Sequence, residues 1–180
     1  MENPFFTIGH SKRPLSEFVG LLEESKIQLV GDVRTVPRSR ANPQYDRSAL
    51  PKTLKEFQIE YEHLPELGGL RGRSADVATS VNAFWENPSF HNYADYAMGE
   101  EFRFGLKRLL DLGSDRRCAI VCAEAVWWRC HRRIIADYLL ACGSPVFHIL
   151  GSDRIERAQI TPGAILGPTG TLSYPARANG

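Results

Sequence analysis

The chain has 180 residues, of which 43% are hydrophobic and 24% charged, and its formal net charge at pH 7 is +1. This length and composition are typical of one globular domain, and the near-neutral charge does not favour nonspecific adhesion to nucleic acid. No apolar run reaches the roughly 18 residues of a membrane helix, and the first residues lack the basic start and apolar run of a signal peptide. Four cysteines are too few for a secreted disulfide scaffold. The sequence therefore predicts a cytoplasmic protein without a membrane partner.

Apolar runs predict strands along the chain, and apolar residues at helical spacing predict amphipathic helices between them. The predicted elements are a strand at 5–9, a helix at 15–25, a strand at 27–33, a helix at 48–58, a strand at 59–64, a long helix at 92–112, a strand at 118–122, a helix at 130–142 and a strand at 145–150. Segments 34–45 and 66–74 have no period and are predicted to be loops, and the glycine-rich segment 66–74 is predicted to be mobile or to face a ligand.

This order of elements predicts an α/β fold, because strands joined by helices need crossover connections and form parallel sheets. We expect a single three-layer domain over residues 1–150, with a mainly parallel sheet and helices on both faces. The tail at 151–180 contains three prolines and no clear period. It is predicted to be an irregular extension that is partly disordered or covers the functional site.

Polar side chains follow the predicted strands at their carboxyl ends, where open parallel sheets bind ligands. They are His10, Ser11, Asp32, Arg34, Cys122, Glu124 and His148. The helix that begins near Cys130 adds free N–H groups and the positive end of its dipole at the same edge. A thiol at a helix N-terminus has a lowered pKa. The convergence predicts an anion site with a reactive cysteine.

The function that this site predicts is an enzyme acting on a small anionic substrate that is phosphate-bearing or nucleotide-like. Glu124 and His131 would exchange protons, and Cys122 or Cys130 would act as the nucleophile. The candidate catalytic residues are His10, Cys122, Glu124, Cys130 and His131. The candidate substrate-binding residues are Ser11, Asp32, Arg34, Arg38, Ser39, Arg40, Arg71, Tyr93, Tyr96 and Arg132.

Several of these residues also have a purely structural interpretation. In that interpretation, Asp32 only holds a neighbouring arginine, His148 is a hydrogen-bonded core histidine, and the two tyrosines belong to the helix core. Trp127 and Trp128 fit either a lid over the site or plain packing. The seven residues between Cys122 and Cys130 are unlike the spacing of a structural zinc site, so no metal is predicted, and the sequence specifies no cofactor.

Two other classes of function remain open at this point. The first is a binding module without catalysis, which senses a small anion or grips nucleic acid through the arginines of residues 34–40. The second is transfer of sulfur or phosphate through a cysteine. The order of a strand ending in Asp-Val-Arg and a later strand ending in Cys is similar to rhodanese and cysteine-phosphatase domains, in which backbone N–H groups cradle a thiolate.

Five motifs in the chain resemble the family of domains of unknown function numbered 488. They are TIGHSKR at 7–13, DVRTVPRSR at 32–40, YEHLPELGGLR at 61–71, YADYA at 93–97 and CAE followed by CHRR at 122–133. The resemblance covers residues 5–150 and implies an α/β fold and a shared site, but it implies no reaction. One departure is the segment Ala125 to Arg129, AVWWR, because the family usually has a proline between CAE and CHR.

Overall fold

Five parallel strands form the centre of the sheet, and a sixth strand pairs antiparallel with one edge. The computed structural model describes residues 3–178. The strands are β1 (Phe5–Gly9), β2 (Leu29–Asp32), β3 (Glu60–His63), β4 (Cys118–Cys122), β5 (Val146–Gly151) and β6 (Arg154–Arg157), in the spatial order β3-β2-β4-β1-β5-β6. The α/β prediction is therefore confirmed.

Helices cover both faces of this sheet and make it the middle layer of three. The helices are α1 (Leu15–Glu24), α2 (Leu50–Glu56), α3 (Pro88–Tyr96), α4 (Glu100–Gly113) and α5 (Arg132–Ala141). Side chains of α1 and α2 pack with Phe6 and Ile8 of β1, whereas those of α3, α4 and α5 pack with Phe5 on the opposite face. Successive strand residues point to opposite faces, so the apolar strands supply both halves of the core.

The prediction of one long helix at 92–112 is wrong, because the structure contains two helices there. The first starts earlier, at Pro88, where the side chain of Asn87 accepts hydrogen bonds from the N–H groups of Ser89 and Phe90 and caps the helix. The backbone is extended at Gly99, with φ −94° and ψ 173°, and separates the two helices. The apolar period continues across this break and hides it from pattern reading.

The tail after β5 contains strands that the sequence did not predict. Strand β6 extends the sheet, and β7 (Ile165–Leu166) pairs with β8 (Leu172–Ser173) as a separate two-stranded sheet. Asp137 on α5 accepts hydrogen bonds from the N–H of Thr161 and the hydroxyl of Tyr174. These contacts hold the tail against α5.

None of the helices formed by residues 3–178 combines the length and apolar character that crossing a bilayer requires. The structure instead uses its apolar surface to bury the two faces of the sheet.

The sheet topology brings three strand ends together at one edge. Strand β4 lies between β1 and β2, with Cys122 beside Gly9 and Val121 beside Asp32. Gly9 closely approaches the backbone carbonyl of Glu124, and a Cβ at this position would lie 1.8 Å from its oxygen. The helices that follow β1 and β4, α1 and α5, pack on opposite faces of the sheet. An α/β sheet forms a ligand-binding crevice where two neighbouring connections diverge in this way.

Candidate functional site

A cavity of about 360 Å³ opens at the carboxyl ends of β1, β2 and β4. Its size is within the usual range for small-molecule sites. Eight of the site residues predicted from the sequence line this cavity, namely His10, Arg34, Arg38, Ser39, Cys122, Glu124, Cys130 and His131. The remaining lining residues are Thr35, Val36, Gly69, Leu70, Ser89, Phe90, Ala123 and Arg129.

Two free thiols lie together in this cavity. Cys122 ends β4, and Cys130 follows a short 3-10 turn at Trp127–Arg129 that brings the chain back. Their Sγ atoms are 2.6 Å apart, and both residues are buried, with 3% and 5% exposure. A ligand in the cavity would therefore meet sulfur at its inner end.

The guanidinium of Arg132 lies behind the two sulfurs. Its Nε is 3.0 Å from Cys122 Sγ and 3.4 Å from Cys130 Sγ, and its backbone N–H also donates to Cys130 Sγ at 3.4 Å. The other guanidinium nitrogens donate to the hydroxyl of Thr7 and the carbonyl of Glu124. Arg132 is only 1% exposed, so it lies behind the cavity wall rather than lining it.

Among residues 3–178, no carboxylate forms an ion pair or hydrogen bond with Arg132. Within this described range, its side chain donates hydrogen bonds only to the two sulfurs, one hydroxyl and one carbonyl oxygen. Buried charges in proteins are normally paired, because an unpaired charge costs several kcal/mol away from water. Charge balance around Arg132 therefore favours a negative sulfur.

The two thiols respond in opposite ways to this environment. Burial raises the pKa of Cys122 well above its ordinary value, and the hydrogen bond to Cys130 raises it further. Burial alone would also raise the pKa of Cys130, but the hydrogen bond from Cys122 and the positive charges of His131 and Arg132 outweigh it and lower that pKa well below its ordinary value. The electrostatics of the site therefore favour Cys130 as the thiolate of the pair and Cys122 as the thiol.

His131 is oriented by contacts on both sides of its ring. Its Nε2 lies 2.7 Å from the carbonyl oxygen of Val33, so this nitrogen carries a hydrogen, and its Nδ1 lies 3.5 Å from Cys130 Sγ. Tyr93 packs edge-on against the ring at 5.0 Å. A Cβ on Gly69 would lie 2.6 Å from Nδ1, so the absence of a side chain there leaves room for the imidazole.

A second buried arginine, Arg34, forms one wall of the cavity. Its Nε and one terminal nitrogen donate to the two carboxylate oxygens of Asp32 at 2.9 and 2.7 Å. Tyr61 donates its hydroxyl to the same carboxylate. The other terminal nitrogen of Arg34 lies 3.3 Å from Nε2 of His10. Asp32 is fully buried and holds Arg34, so it does not itself line the cavity.

The surroundings of His10 favour its neutral form. Burial lowers its pKa, the backbone carbonyl of Ser11 opposes that effect, and the nearby charge of Arg34 lowers the pKa again. Its Nδ1 donates to that carbonyl at 2.9 Å, which leaves Nε2 as an acceptor facing Arg34. The ring also stacks on Tyr45 at 4.3 Å. Its two nitrogens are thus already bonded to protein groups.

The outer part of the cavity combines positive charge with apolar surface. Arg38, Arg129 and Glu124 are exposed. Val36 and Leu70 are unusually exposed for apolar residues, at 64% and 76%. This rim suits a ligand that carries both an anionic group and an apolar portion.

Seven of the predicted site residues do not line this cavity. Besides Asp32 and Arg132 they are Ser11, Arg40, Arg71, Tyr93 and Tyr96. Arg71 stacks over Tyr96 at 3.8 Å, and both line a different cavity. The hydroxyl of Tyr93 donates to the carbonyl of Leu67 within the protein core. Ser11 has a positive φ of 48° at the turn after β1, and Arg40 is exposed.

The buried His148 and the half-buried Trp127 stack on each other away from the cavity. Their rings are 4.4 Å apart and nearly parallel. Thr7 accepts a hydrogen bond from Arg132 and donates its hydroxyl hydrogen to Nδ1 of His148 at 2.7 Å. Burial lowers the pKa of His148 to about 4, and Arg132 contributes. His148 is thus a core histidine, and Trp127 of the AVWWR segment packs on it rather than covering the cavity.

Among the residues from 3 to 178, no group of three or more histidine, cysteine and acidic side chains lies where it could hold a metal ion. The guanidinium of Arg132 beside both sulfurs would in addition repel a cation at this position.

The sequence predicted that the loop at 66–74 is mobile or faces a ligand, but it did not predict which residues shape the cavity without supplying reactive groups. Gly68 and Gly69 pack against Thr35 and His131, and Thr35 accepts a hydrogen bond from the N–H of Leu70. The glycine pair was the available signal, because paired glycines mark close backbone approach. Thr7 gave no signal, since its contact with Arg132 joins residues 125 positions apart.

The model of the family described as Domain of unknown function DUF488 matches residues 14–139, more than half of the chain. The matched segment includes four of the five motifs noted in the sequence and begins just after the first, so it confirms the resemblance. Comparisons with curated proteins and with solved structures found no match.

Proposed function

Because the chain belongs to the DUF488 family, whose description names no reaction, we propose a function from its own site: a thiol-dependent enzyme whose Cys130 thiolate attacks a small anionic substrate. The observation that carries this proposal is Arg132, a buried guanidinium with no carboxylate partner among residues 3–178 and with two sulfurs within 3.4 Å of its Nε. A cation held there stabilises the nucleophilic form of the thiol.

In the reaction, the sulfur of Cys130 forms a bond to an electrophilic atom of the bound substrate. The leaving group departs with the electron pair of the broken bond and takes a proton from Nδ1 of His131, which lies 3.5 Å from the sulfur. Glu124 is exposed and lines the cavity, and in this proposal its carboxylate would exchange that proton with solvent.

Arg38 and Arg129 supply the positive charge that would bind the anion. Both are exposed, line the cavity and have no ion pair among residues 3–178. Arg34 contributes less, since Asp32 already neutralises it. Val36 and Leu70 would contact an apolar part of the substrate, which therefore has the mixed character of an organic anion. A thiolate nucleophile of this kind needs a reducing compartment, which fits a cytoplasmic location.

Two alkylating reagents of similar size test the proposal, namely anionic iodoacetate and neutral iodoacetamide. Cys142 is exposed, so the measurements use a Cys142→Ser background. We expect alkylation to map to Cys130. The ratio of the iodoacetate rate to the iodoacetamide rate should be about tenfold higher for Cys130 than for free cysteine. This gain corresponds to about 1.4 kcal/mol from charge-assisted bonds. This gain should fall with Arg38→Ala or Arg129→Ala.

Arg47→Ala is the matched control, because Arg47 is exposed on the same loop but does not line the cavity. The proposal is wrong if Cys130 reacts no faster than free cysteine at pH 7, or if Arg38→Ala leaves the preference for iodoacetate intact.

The rival function, nucleic-acid binding through residues 34–40, makes a different prediction. Arg34 is buried and paired with Asp32, which leaves Arg38 and Arg40 as the exposed arginines of that segment. A nucleic-acid surface would lose affinity with Arg40→Ala as well as Arg38→Ala, and its affinity would fall steeply with salt. The small-anion site would be insensitive to Arg40.

A further inference from the structure

The second thiol narrows the class of substrate. We infer that Cys122 is a resolving thiol and that the substrate is a small anionic disulfide, an inference that rests on the proposed role of Cys130 as the nucleophile. The supporting observation is that Cys122 Sγ lies 2.6 Å from Cys130 Sγ within the same cavity. This separation is only about 0.5 Å longer than an S–S bond.

A second thiol beside Cys130 can release only one kind of adduct from it. An acyl or phosphoryl group on that sulfur would merely migrate to Cys122, and the product would remain attached. A sulfur adduct behaves differently, because Cys122 can attack the sulfur of Cys130 and expel the bound thiol while an internal disulfide forms. The position of Cys122 therefore favours substrates that deliver sulfur to Cys130.

Two exchange steps complete the reaction. In the first, the Cys130 thiolate bonds to one sulfur of the substrate disulfide, the S–S bond of the substrate breaks, and the leaving thiolate takes a proton from Nδ1 of His131. In the second, Cys122 gives its proton to Nδ1 and attacks the sulfur of Cys130, and the second substrate thiolate leaves and takes that proton. The substrate disulfide is reduced by two electrons, and the two protein thiols are oxidised to a disulfide.

Arg132 determines which disulfides can react. Its guanidinium stabilises the thiolate, and disulfide formation removes that negative partner while Arg132 stays buried. Stabilisation of the reduced form makes a protein disulfide more oxidising. The substrate must consequently be an easily reduced disulfide with acidic leaving thiols, and a dithiol reductant regenerates the protein readily.

An aromatic disulfide, 5,5′-dithiobis(2-nitrobenzoate), is a suitable probe, because it is anionic, has an acidic leaving thiol and releases a coloured thiolate. In the Cys142→Ser background we expect two equivalents of released thiolate per protein and an unmodified mass apart from the loss of two hydrogen atoms. Peptide mapping should then find the bond between Cys122 and Cys130. Dithiothreitol should restore both thiols.

The variant Cys122→Ser separates this inference from the proposed function. It should release one equivalent and retain a stable mixed disulfide on Cys130. If Cys122→Ser instead releases two equivalents, or if the Cys142→Ser protein itself keeps the mixed disulfide, Cys122 is not a resolving thiol, although Cys130 remains the nucleophile. If Cys130→Ser still reacts at the original rate and carries the adduct on Cys122, the nucleophile itself is misassigned. The mapping in the Cys142→Ser protein decides the question even if Cys122→Ser does not fold.

Discussion

Replacing Arg132 by methionine removes the cation beside the sulfurs and should make Cys130 a weaker acid. The guanidinium donates to both Sγ atoms, at 3.0 and 3.4 Å, and hydrogen bonds to charged groups contribute about 1.5–3 kcal/mol. At about 1.36 kcal/mol per pKa unit, the pKa of Cys130 should rise by about 1–2 units. A more basic thiolate is also a better nucleophile, with a Brønsted coefficient of about 0.4–0.5. The net loss of rate well below both pKa values is therefore about threefold to tenfold.

The assay for this prediction is the rate of alkylation of Cys130 by neutral iodoacetamide across a range of pH, again in the Cys142→Ser background. We expect the midpoint of the Arg132→Met profile to move upward. Arg133→Met is the matched control, since Arg133 is the next residue of α5 but donates to Thr161 away from the sulfurs. Arg132→Lys keeps the charge without the planar fork and should move the midpoint less.

An unchanged or lowered midpoint in folded Arg132→Met, verified by circular dichroism, would refute the assignment of a sulfur anion at this position. If the methionine variant does not fold, the same result in Arg132→Gln, which also removes the charge, would carry equal weight.

Three further predictions concern the residues around the thiols. Asp32→Asn should lower the free energy of unfolding in urea by about 3–5 kcal/mol, because it leaves the buried Arg34 without its anion, whereas Asp111→Asn breaks only an exposed pair with Lys107 and should cost under about 1 kcal/mol. Gly69→Ala should displace His131 and slow alkylation of Cys130 several-fold, while Gly72→Ala has open space around its Cβ and should have no effect. His148 binds a proton in the unfolded chain near pH 6.5 but in the folded protein only near pH 4. Stability should therefore fall by up to about 3 kcal/mol as pH drops through that window, and His148→Asn should remove this part of the loss.

The strand ends were predictable because they depend on short-range patterns. Each apolar run that became β1, β2 or β4 is followed at once by polar residues, and a parallel sheet necessarily collects such ends at one edge. His10, Arg34 and Cys122 therefore fell together in the predicted site and line the same cavity in the structure. Sequence alone was sufficient for this part of the site.

The roles of Tyr93, Tyr96 and Arg71 depend on contacts that no local pattern reveals. The two tyrosine hydroxyls donate to the carbonyls of Leu67 and Glu66, residues more than 25 positions away. The guanidinium of Arg71 stacks on the ring of Tyr96. In a sequence, a polar tip near a predicted site looks the same whether it faces the ligand or a backbone carbonyl.

The sequence failed to predict the edge strand β6 for a different reason. All four of its residues are exposed, so its side chains show no alternation between buried and exposed faces. It forms through backbone pairing with β5, and a charged edge strand of this kind also discourages pairing with another chain. Hydrophobic periodicity cannot detect a strand that buries no side chain.

The two buried arginines of the site have the same side chain and opposite consequences. Arg34 is matched by the carboxylate of Asp32, so its charge is satisfied within the protein and its role is to hold the cavity wall. Arg132 has no such carboxylate among residues 3–178, and of the groups that accept its side-chain hydrogen bonds only the two sulfurs can carry a negative charge. Removing a partner from a buried pair costs several kcal/mol, and this cost applies equally when the thiolate is protonated, alkylated or oxidised. The interaction that stabilises Arg132 in the fold is therefore the same interaction that activates Cys130, which couples the stability of the protein to the chemical state of its thiols.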